Sequence, residues 1–259
     1  MNLKFSANLG FLWLHLPMLE RIAAAQRAGF DAVECHMPYD CPASDIAAAL
    51  KLSGLPMVGL NTAIGAAGSD DIGLAAVPGQ EQLARQYIDQ AIDYAIAIGA
   101  ANIHVVAGLT GGTAEAEKVY QDNLRYACKK AALEDKIIII EPLNPRSVPN
   151  YHLSRIDQAV ATIDAVGENN LKIMFDFFHM QIVHGDLATL LQKNFDYIGH
   201  VQIAAVHDRG EPDDGEINFP CVLGILEQQG YTGYIGAEYK PRGQSVESGL
   251  TWLDRFRGI

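Results

Sequence analysis

Long hydrophobic runs are missing: no stretch of about 20 apolar residues occurs, which argues against a membrane-spanning helix. The start, MNLKFSANLG, has no basic leader, extended apolar stretch or small-residue cleavage site. A secretory signal is therefore not expected, and the cytoplasm is the expected location. Positive charge is scarce: 19 Lys and Arg stand against 31 Asp and Glu, for a formal net charge of −12. That balance opposes non-specific binding to nucleic acid, where cationic side chains displace counterions. It equally gives no support to an anionic membrane surface as partner. A local basic pocket could still hold a small anion. There are four cysteines, Cys35, Cys41, Cys128 and Cys221, and none forms a C-x-x-C pair. A zinc thiolate or thioredoxin-like site thus has no support, and reduced thiols are expected rather than a disulfide. No G-x-G-x-x-G follows the first apolar segment, which weakens a dinucleotide-binding reading. No linker or low-complexity tract divides the 259 residues. One domain over 1–259 is expected, close to the size of a typical (β/α)8 barrel.

What is present is a regular alternation of short apolar runs and longer amphipathic segments. Strands are predicted at 3–9, 31–36, 56–61, 103–108, 136–142, 171–176, 197–204 and 234–239. Helices are predicted at 19–29, 44–52, 81–98, 113–133, 153–166, 187–192, 218–229 and 246–256. Gly29 suits a helix stop, and Thr113 can cap the helix that follows it. A loop rich in Gly, Ala and Asp follows the strand at 56–61 and runs to Pro78. Strands separated by helices pair in parallel, and parallel sheets are covered on both faces. The near-continuous apolar run Ile137–Ile140 suits that environment. Eight strand–helix alternations predict an α/β fold, a single (β/α)8 TIM barrel, with an open doubly wound sheet as the competing architecture.

In such a barrel the reaction site lies at the C-terminal ends of the strands. Strand five ends in Glu141 and strand six in Asp176; strand seven carries Gln202 and strand eight Glu238. Three carboxylates and one amide oxygen form a ligand set for a hard divalent cation such as Mg2+ or Mn2+. Converging carboxylates raise one another's pKa values unless a cation compensates them. The alternative for any one of them is a helix cap or a solvated surface charge.

Other residues lie close by in sequence. His179, three residues after Asp176, could donate toward a metal-bound group or a substrate oxygen, or serve as a supporting or helix-start histidine. Arg209 follows strand seven; a planar guanidinium suits a substrate carboxylate, and a loop ion pair is the plainer account. Glu211 or Glu216 could orient His179 or Arg209. Lys240 and Arg242 could add positive potential over the site. Glu34 and His104 could line the mouth, although a satisfied interior histidine is the commoner outcome for a residue such as His104. Phe11, Trp13, Leu14 and Leu16 could form a lid or wall, or pack into a contact between subunits of a homo-oligomer.

The order of motifs FSANL (5–9), MPYD (37–40), NLRYA (123–127), IEPLN (140–144), FDFFHMQ (175–181), GHVQIA (199–204), RGEPDDGEIN (209–218) and EYKPRG (238–243) resembles the hydroxypyruvate isomerase family. That family belongs to the xylose-isomerase-like barrels, and the resemblance runs from Phe5 to Gly258. It implies one divalent metal held by Glu141, Asp176, Gln202 and Glu238. It implies that Glu141 and Glu238 are the catalytic proton-shuttling pair, and that His179 and Arg209 contact substrate. The implied partner is a small hydroxy-oxo acid. The segment 141–153 is similar to the hydroxypyruvate isomerases; 208–218, 238–243 and HVVAG (104–108) are similar to the related 2-oxo-tetronate isomerases. Three rivals share the barrel: a multi-metal phosphodiesterase acting on damaged DNA, which would need further histidine ligands and a basic groove; a dehydratase; and a non-catalytic sugar-acid binding protein.

Overall fold

The computed structural model describes residues 3–65 and 69–258. Strands and helices alternate in the order β1 (Lys4–Asn8), α1 (Met18–Arg27), β2 (Ala32–Glu34), α2 (Ala43–Ser53), β3 (Gly59–Asn61), α3 (Glu81–Ile98), β4 (Asn102–His104) and α4 (Ala114–Ala132). They continue with β5 (Ile137–Ile140), α5 (Ile156–Val166), β6 (Leu171–Asp176), α6 (Phe177–Val183), α7 (Leu187–Asn194), β7 (Ile198–Ile203), α8 (Phe219–Gln228), β8 (Tyr234–Ala237) and α9 (Thr251–Arg257).

All strands are parallel, in the order β2-β1-β8-β7-β6-β5-β4-β3. The two ends of that series meet at a thin seam. There Val33 bridges Met57 in parallel, Val33 donates to the Pro56 carbonyl at 3.0 Å, and Val58 donates back to Val33 at 2.7 Å. The eight strands thus form the barrel that the alternation predicted.

Local chemistry sets the ends of the helices. Gly54, Gly99 and Gly167 take the left-handed conformation that stops α2, α3 and α5. The Thr113 hydroxyl accepts from the Ala116 N–H and caps α4 as expected. Asn218 does the same for α8 through Cys221. Trp252 of α9 is fully buried and meets Phe5 edge-on at 5.4 Å. Truncating an aromatic of this kind costs about 3–5 kcal/mol.

Several boundaries differ from the sequence pattern, and the helix expected at 246–256 begins only at Thr251. The strand expected over 103–108 stops at His104, because side chains take over the next ladder donors: Val106 N–H goes to Thr62 Oγ1 at 3.1 Å and Ala107 N–H to the Tyr151 hydroxyl at 3.0 Å. The helix expected from Leu153 begins at Ile156, because the Leu153 carbonyl accepts from Leu143. A helix not foreseen, α6, follows β6 directly and carries His179. Of the Gly/Ala-rich loop, residues 66–68 lie outside the described residues; beyond them Ala75 and Ala76 are buried and donate to Val106 and Ala107. No helix among the described residues is long and apolar enough to cross a membrane.

Candidate active site

Four consecutive strands, β5 to β8, deliver the acidic rim. Glu141 follows β5, Asp176 ends β6, Gln202 lies in β7 beside Asp176 in register, and Glu238 follows β8. All four are buried. Oxygens of Glu141 and Asp176 and a ring nitrogen of His179 lie within 4.8 Å of one another, the spacing of donors around one cation. Arg209 joins the remaining carboxylate to this group: its Nη2 donates to Asp176 Oδ2 at 2.9 Å and to Glu238 Oε2. The structure therefore brings Glu141, Asp176, Glu238, His179 and Arg209 together. Gln202 turns its Nε2 toward Glu34 at 2.7 Å and leaves its Oε1 buried without a partner.

The electrostatics are those of an acidic cluster lacking a full complement of positive charge. Burial drives the Glu141 carboxyl well above the ordinary range, and Glu238 and Asp176 add to the effect. Burial raises Asp176 to about 7, with Arg209 opposing. Burial also disfavours the charged form of Glu238, but Arg209 and His36 outweigh it and bring this group down.

Asp176 has two tasks. Its Oδ1 accepts from the Phe178 N–H at 2.8 Å and starts α6, which aims His179 back at the site. His179 Nδ1 receives two donors from Asn144, the backbone N–H at 2.9 Å and the side-chain amide at 2.7 Å. Two donors on Nδ1 assign the ring proton to Nε2. Burial and the nearby Arg209 hold the ring neutral, with a pKa of about 3. His179 Nε2 lies 3.6 Å from Asp176 and 3.8 Å from Glu141. In this tautomer it offers the site an N–H donor, not a lone pair for a cation. Arg209 Nη1 stands 3.1 Å from the same nitrogen, a donor facing a donor.

Arg209 is held firmly. Its backbone takes a positive φ of 62°, which costs a non-glycine residue about 1 kcal/mol or more. Its carbonyl accepts from the Lys240 N–H at 2.7 Å. Its guanidinium lies between the rings of Phe11 and Phe178, 5.0 and 4.9 Å from their centroids. Phe11 thus forms part of the site wall, as one of the two expectations for that segment had it. Trp13 is buried and donates to Glu247, whereas Leu14 is exposed.

Other sequence candidates land elsewhere. Glu211 orients neither His179 nor Arg209; its carboxylate accepts from the Arg242 backbone N–H. Glu216 is exposed. Arg242 is bound to Asp208 at 2.6 Å and adds no free cation over the site, and the Lys240 side chain points to solvent. His104 is buried, but both of its ring nitrogens lack a hydrogen-bond partner, so it is not the satisfied interior histidine expected. Its Nδ1 lies 3.9 Å from Glu141 Oε2, and burial lowers its pKa to about 3. Glu34 does not line the mouth; it reaches across the lumen to Ser6, Asn8, His200 and Gln202.

Two site residues escaped the sequence reading. His36 Nε2 donates to Glu238 Oε1 at 2.7 Å, and Asn8 Nδ2 donates to the same oxygen at 3.0 Å. Gly10 makes room for this histidine: a Cβ there would fall 2.4 Å from the His36 ring. The signal for Asn8 was a polar residue at the end of an apolar strand. His36, the last residue of the strand predicted at 31–36, carried the same signal.

The donor set fits a divalent cation. Glu141 Oε1 and Gln202 Oε1 are buried oxygens without partners, and the three carboxylates carry more charge than Arg209 offsets. Hard cations take such oxygens.

A barrel of eight parallel strands with an acidic, oxygen-rich centre at their C-terminal ends defines a class of barrel enzymes. The chain belongs to the xylose isomerase-like TIM barrel family, whose model matches residues 22–256. It is 41% identical to the 2-oxo-tetronate isomerase of Cupriavidus necator over 98% of this chain and 99% of that protein. It is 37% identical to the hydroxypyruvate isomerase of Escherichia coli over 98% of this chain and 100% of that protein. A solved structure described as an AP endonuclease, family 2, from Brucella melitensis superposes with a TM-score of 0.95 at 39% identity, covering 99% of this chain and 100% of that one. These relatives place the chain among the isomerases of the family.

Proposed function

We propose that this isomerase moves the oxo group of a small hydroxy-oxo acid to the neighbouring hydroxyl-bearing carbon, with hydroxypyruvate and tartronate semialdehyde, a ketone and an aldehyde, as the leading pair and a 2-oxo-tetronate as the second. The observation that carries this reading is the convergence of Glu141, Asp176 and Glu238, with Glu141 Oε1 buried and unpartnered. Glu141, Asp176, Gln202 and Glu238 would hold one Mg2+ or Mn2+. When bound, such a cation would polarise adjacent carbonyl and hydroxyl oxygens and offset the negative charge that develops on them.

The protein side chains do the rest. One carboxylate of the pair Glu141 and Glu238 takes the proton from the hydroxymethyl carbon, and an enediolate results. The other delivers a proton to the neighbouring carbon that had carried the oxo group, while the hydroxyl proton passes to the former carbonyl oxygen, so that a new carbonyl and a new hydroxyl result. The two glutamates come from different strands, β5 and β8, so they flank the substrate rather than crowd one side of it. The Nε2–H of His179 donates to a substrate oxygen. Arg209 holds the substrate carboxylate through two parallel N–H bonds, which fixes the carbons that face the glutamates. Arg209 then exchanges the carboxylates of Asp176 and Glu238 for that of the substrate.

Proton NMR in D2O tests the reading, with hydroxypyruvate and a 2-oxo-tetronate offered separately to protein with Mg2+ or Mn2+ and an EDTA control. Isomerisation of one substrate that stops with EDTA is the expected result. No turnover of either, with metal bound, would overturn it. Cleavage of abasic-site DNA in a parallel assay would favour the phosphodiesterase rival instead.

A further inference from the structure

Glu34 has no role in the proton transfer, yet it is the most heavily hydrogen-bonded carboxylate in the lumen. Asn8 Nδ2 at 3.0 Å and Gln202 Nε2 at 2.7 Å donate to its Oε1. Ser6 Oγ at 2.7 Å and His200 Nε2 at 2.9 Å meet its Oε2. All five side chains are buried. Gly236 on β8 clears the path: a Cβ there would stand 2.5 Å from Glu34 Oε1.

An amide side chain has one donating end and one accepting end. Glu34 takes the donating end of Gln202. The accepting end, Oε1, is left buried and without a partner. We infer that Glu34 is a positioning residue, which fixes the Gln202 amide so that its carbonyl oxygen, not its NH2, faces the cation site. This rests on the cation reading given above. The two ends of an amide are nearly the same size, so packing alone selects neither. An NH2 group has no lone pair to offer a cation. Asn8 extends the arrangement, because its Nδ2 also donates to Glu238 Oε1 at 3.0 Å.

The test is a Mn2+ titration read by loss of the free-ion electron paramagnetic resonance signal, alongside thermal melting of the metal-free protein. Glu34→Met keeps the volume but removes the acceptor, and Mn2+ affinity should fall about tenfold to a hundredfold. Glu34→Gln keeps an acceptor for Gln202, because its NH2 can turn to Ser6 and His200, and each of those can accept. It should bind Mn2+ within about threefold of wild type, less than 1 kcal/mol. Ser6→Ala removes a donor from the far oxygen only; it should lower the melting temperature and leave Mn2+ affinity within the same threefold. A purely structural role would make affinity follow melting temperature across the series. Glu34→Met binding as tightly as wild type, or Glu34→Gln binding as weakly as Glu34→Met, would overturn the inference. If Glu34→Met does not fold, Glu34→Asp withdraws the same charge by one methylene and should bind more weakly; unchanged affinity would overturn it. Wild type that binds no Mn2+ would instead remove the cation reading itself.

Discussion

Glu34 and Glu141 are buried to nearly the same degree, 4% and 6% exposed, inside one barrel. Glu34 receives four hydrogen bonds, and although burial disfavours its charge, His200, Gln202 and Ser6 bring its carboxyl below the ordinary range. Glu141 has Oε1 without a partner, faces two other carboxylates, and is pushed well above the ordinary range. The fold can therefore satisfy a buried glutamate, and does so at Glu34. The unsatisfied one is open to a group that arrives from outside. Buried polar atoms without partners are rare enough in folded proteins to call for such an account.

The comparison breaks most visibly at Glu141 itself. Glu141→Gln and Glu238→Gln should each lower kcat by about 10²–10⁴-fold, the usual contribution of a general acid or base. Normal turnover in either variant would sink the two-glutamate scheme. The same Glu141→Gln protein, free of metal, should melt a few degrees higher than wild type, since about 1 kcal/mol corresponds to about 2–4 °C at this size. The sign follows from the raised carboxyls. A group whose folded pKa lies above its unfolded one favours the fold at low pH and loses that benefit as pH rises through the folded value. For Asp176 that value is about 7. Metal-free wild type should thus lose stability as pH rises from about 4 toward about 7 and level off above it, and divalent metal should flatten the trend. A melting curve indifferent to pH between 5 and 8 would contradict it.

Arg209 sharpens the contrast next. Its guanidinium is the cation that the cluster holds, bound to Asp176 and Glu238. Arg209→Ala should raise KM about tenfold to a hundredfold, the effect of losing hydrogen bonds to a charged group. The variant should also bind Mn2+ more tightly when substrate is absent, because the ion no longer competes with the guanidinium. An unchanged KM would remove the carboxylate-holding role.

The smallest effect belongs to a third glutamate, outside the barrel. Glu117 accepts from His152 at 3.0 Å, Gln121 at 2.9 Å and Thr162 at 2.7 Å. Burial opposes its ionisation, but these bonds lower it to about 2. Like Glu34 it is a satisfied carboxylate. Its stabilisation is present above the ordinary carboxylate range and is lost as pH falls from about 4.5 toward 2. Glu117→Gln should cost roughly 1 kcal/mol at neutral pH and weaken the acid limb of the stability curve, as read by urea unfolding. It should leave turnover alone.

Much of this was legible before any coordinates. Short apolar runs that end in an acidic residue gave away Glu141, Asp176 and Glu238, because strand direction alone decides which end reaches the rim. The Glu34 network was not legible in the same way. Its partners come from β1, which pairs with β2, and from β7, which comes within reach only because β8 pairs with β1. A faint sign existed: Ser6 and Asn8, like His200 and Gln202, are polar residues two apart in apolar strands, and so share one face. The helix α6 was hidden by its length, since seven residues are too few for a clear helical period.

The seam between β2 and β3 gives Glu34 a mechanical meaning. A hoop is as stiff as its softest joint, and this joint has only a few backbone rungs. Glu34 stands at it and reaches past β1 and β8 to His200 and Gln202 on β7, a tie from the loose end of the rim to the third strand along. Gln202 sits at the other end of that tie. A change that loosens the seam would reach its amide through Glu34.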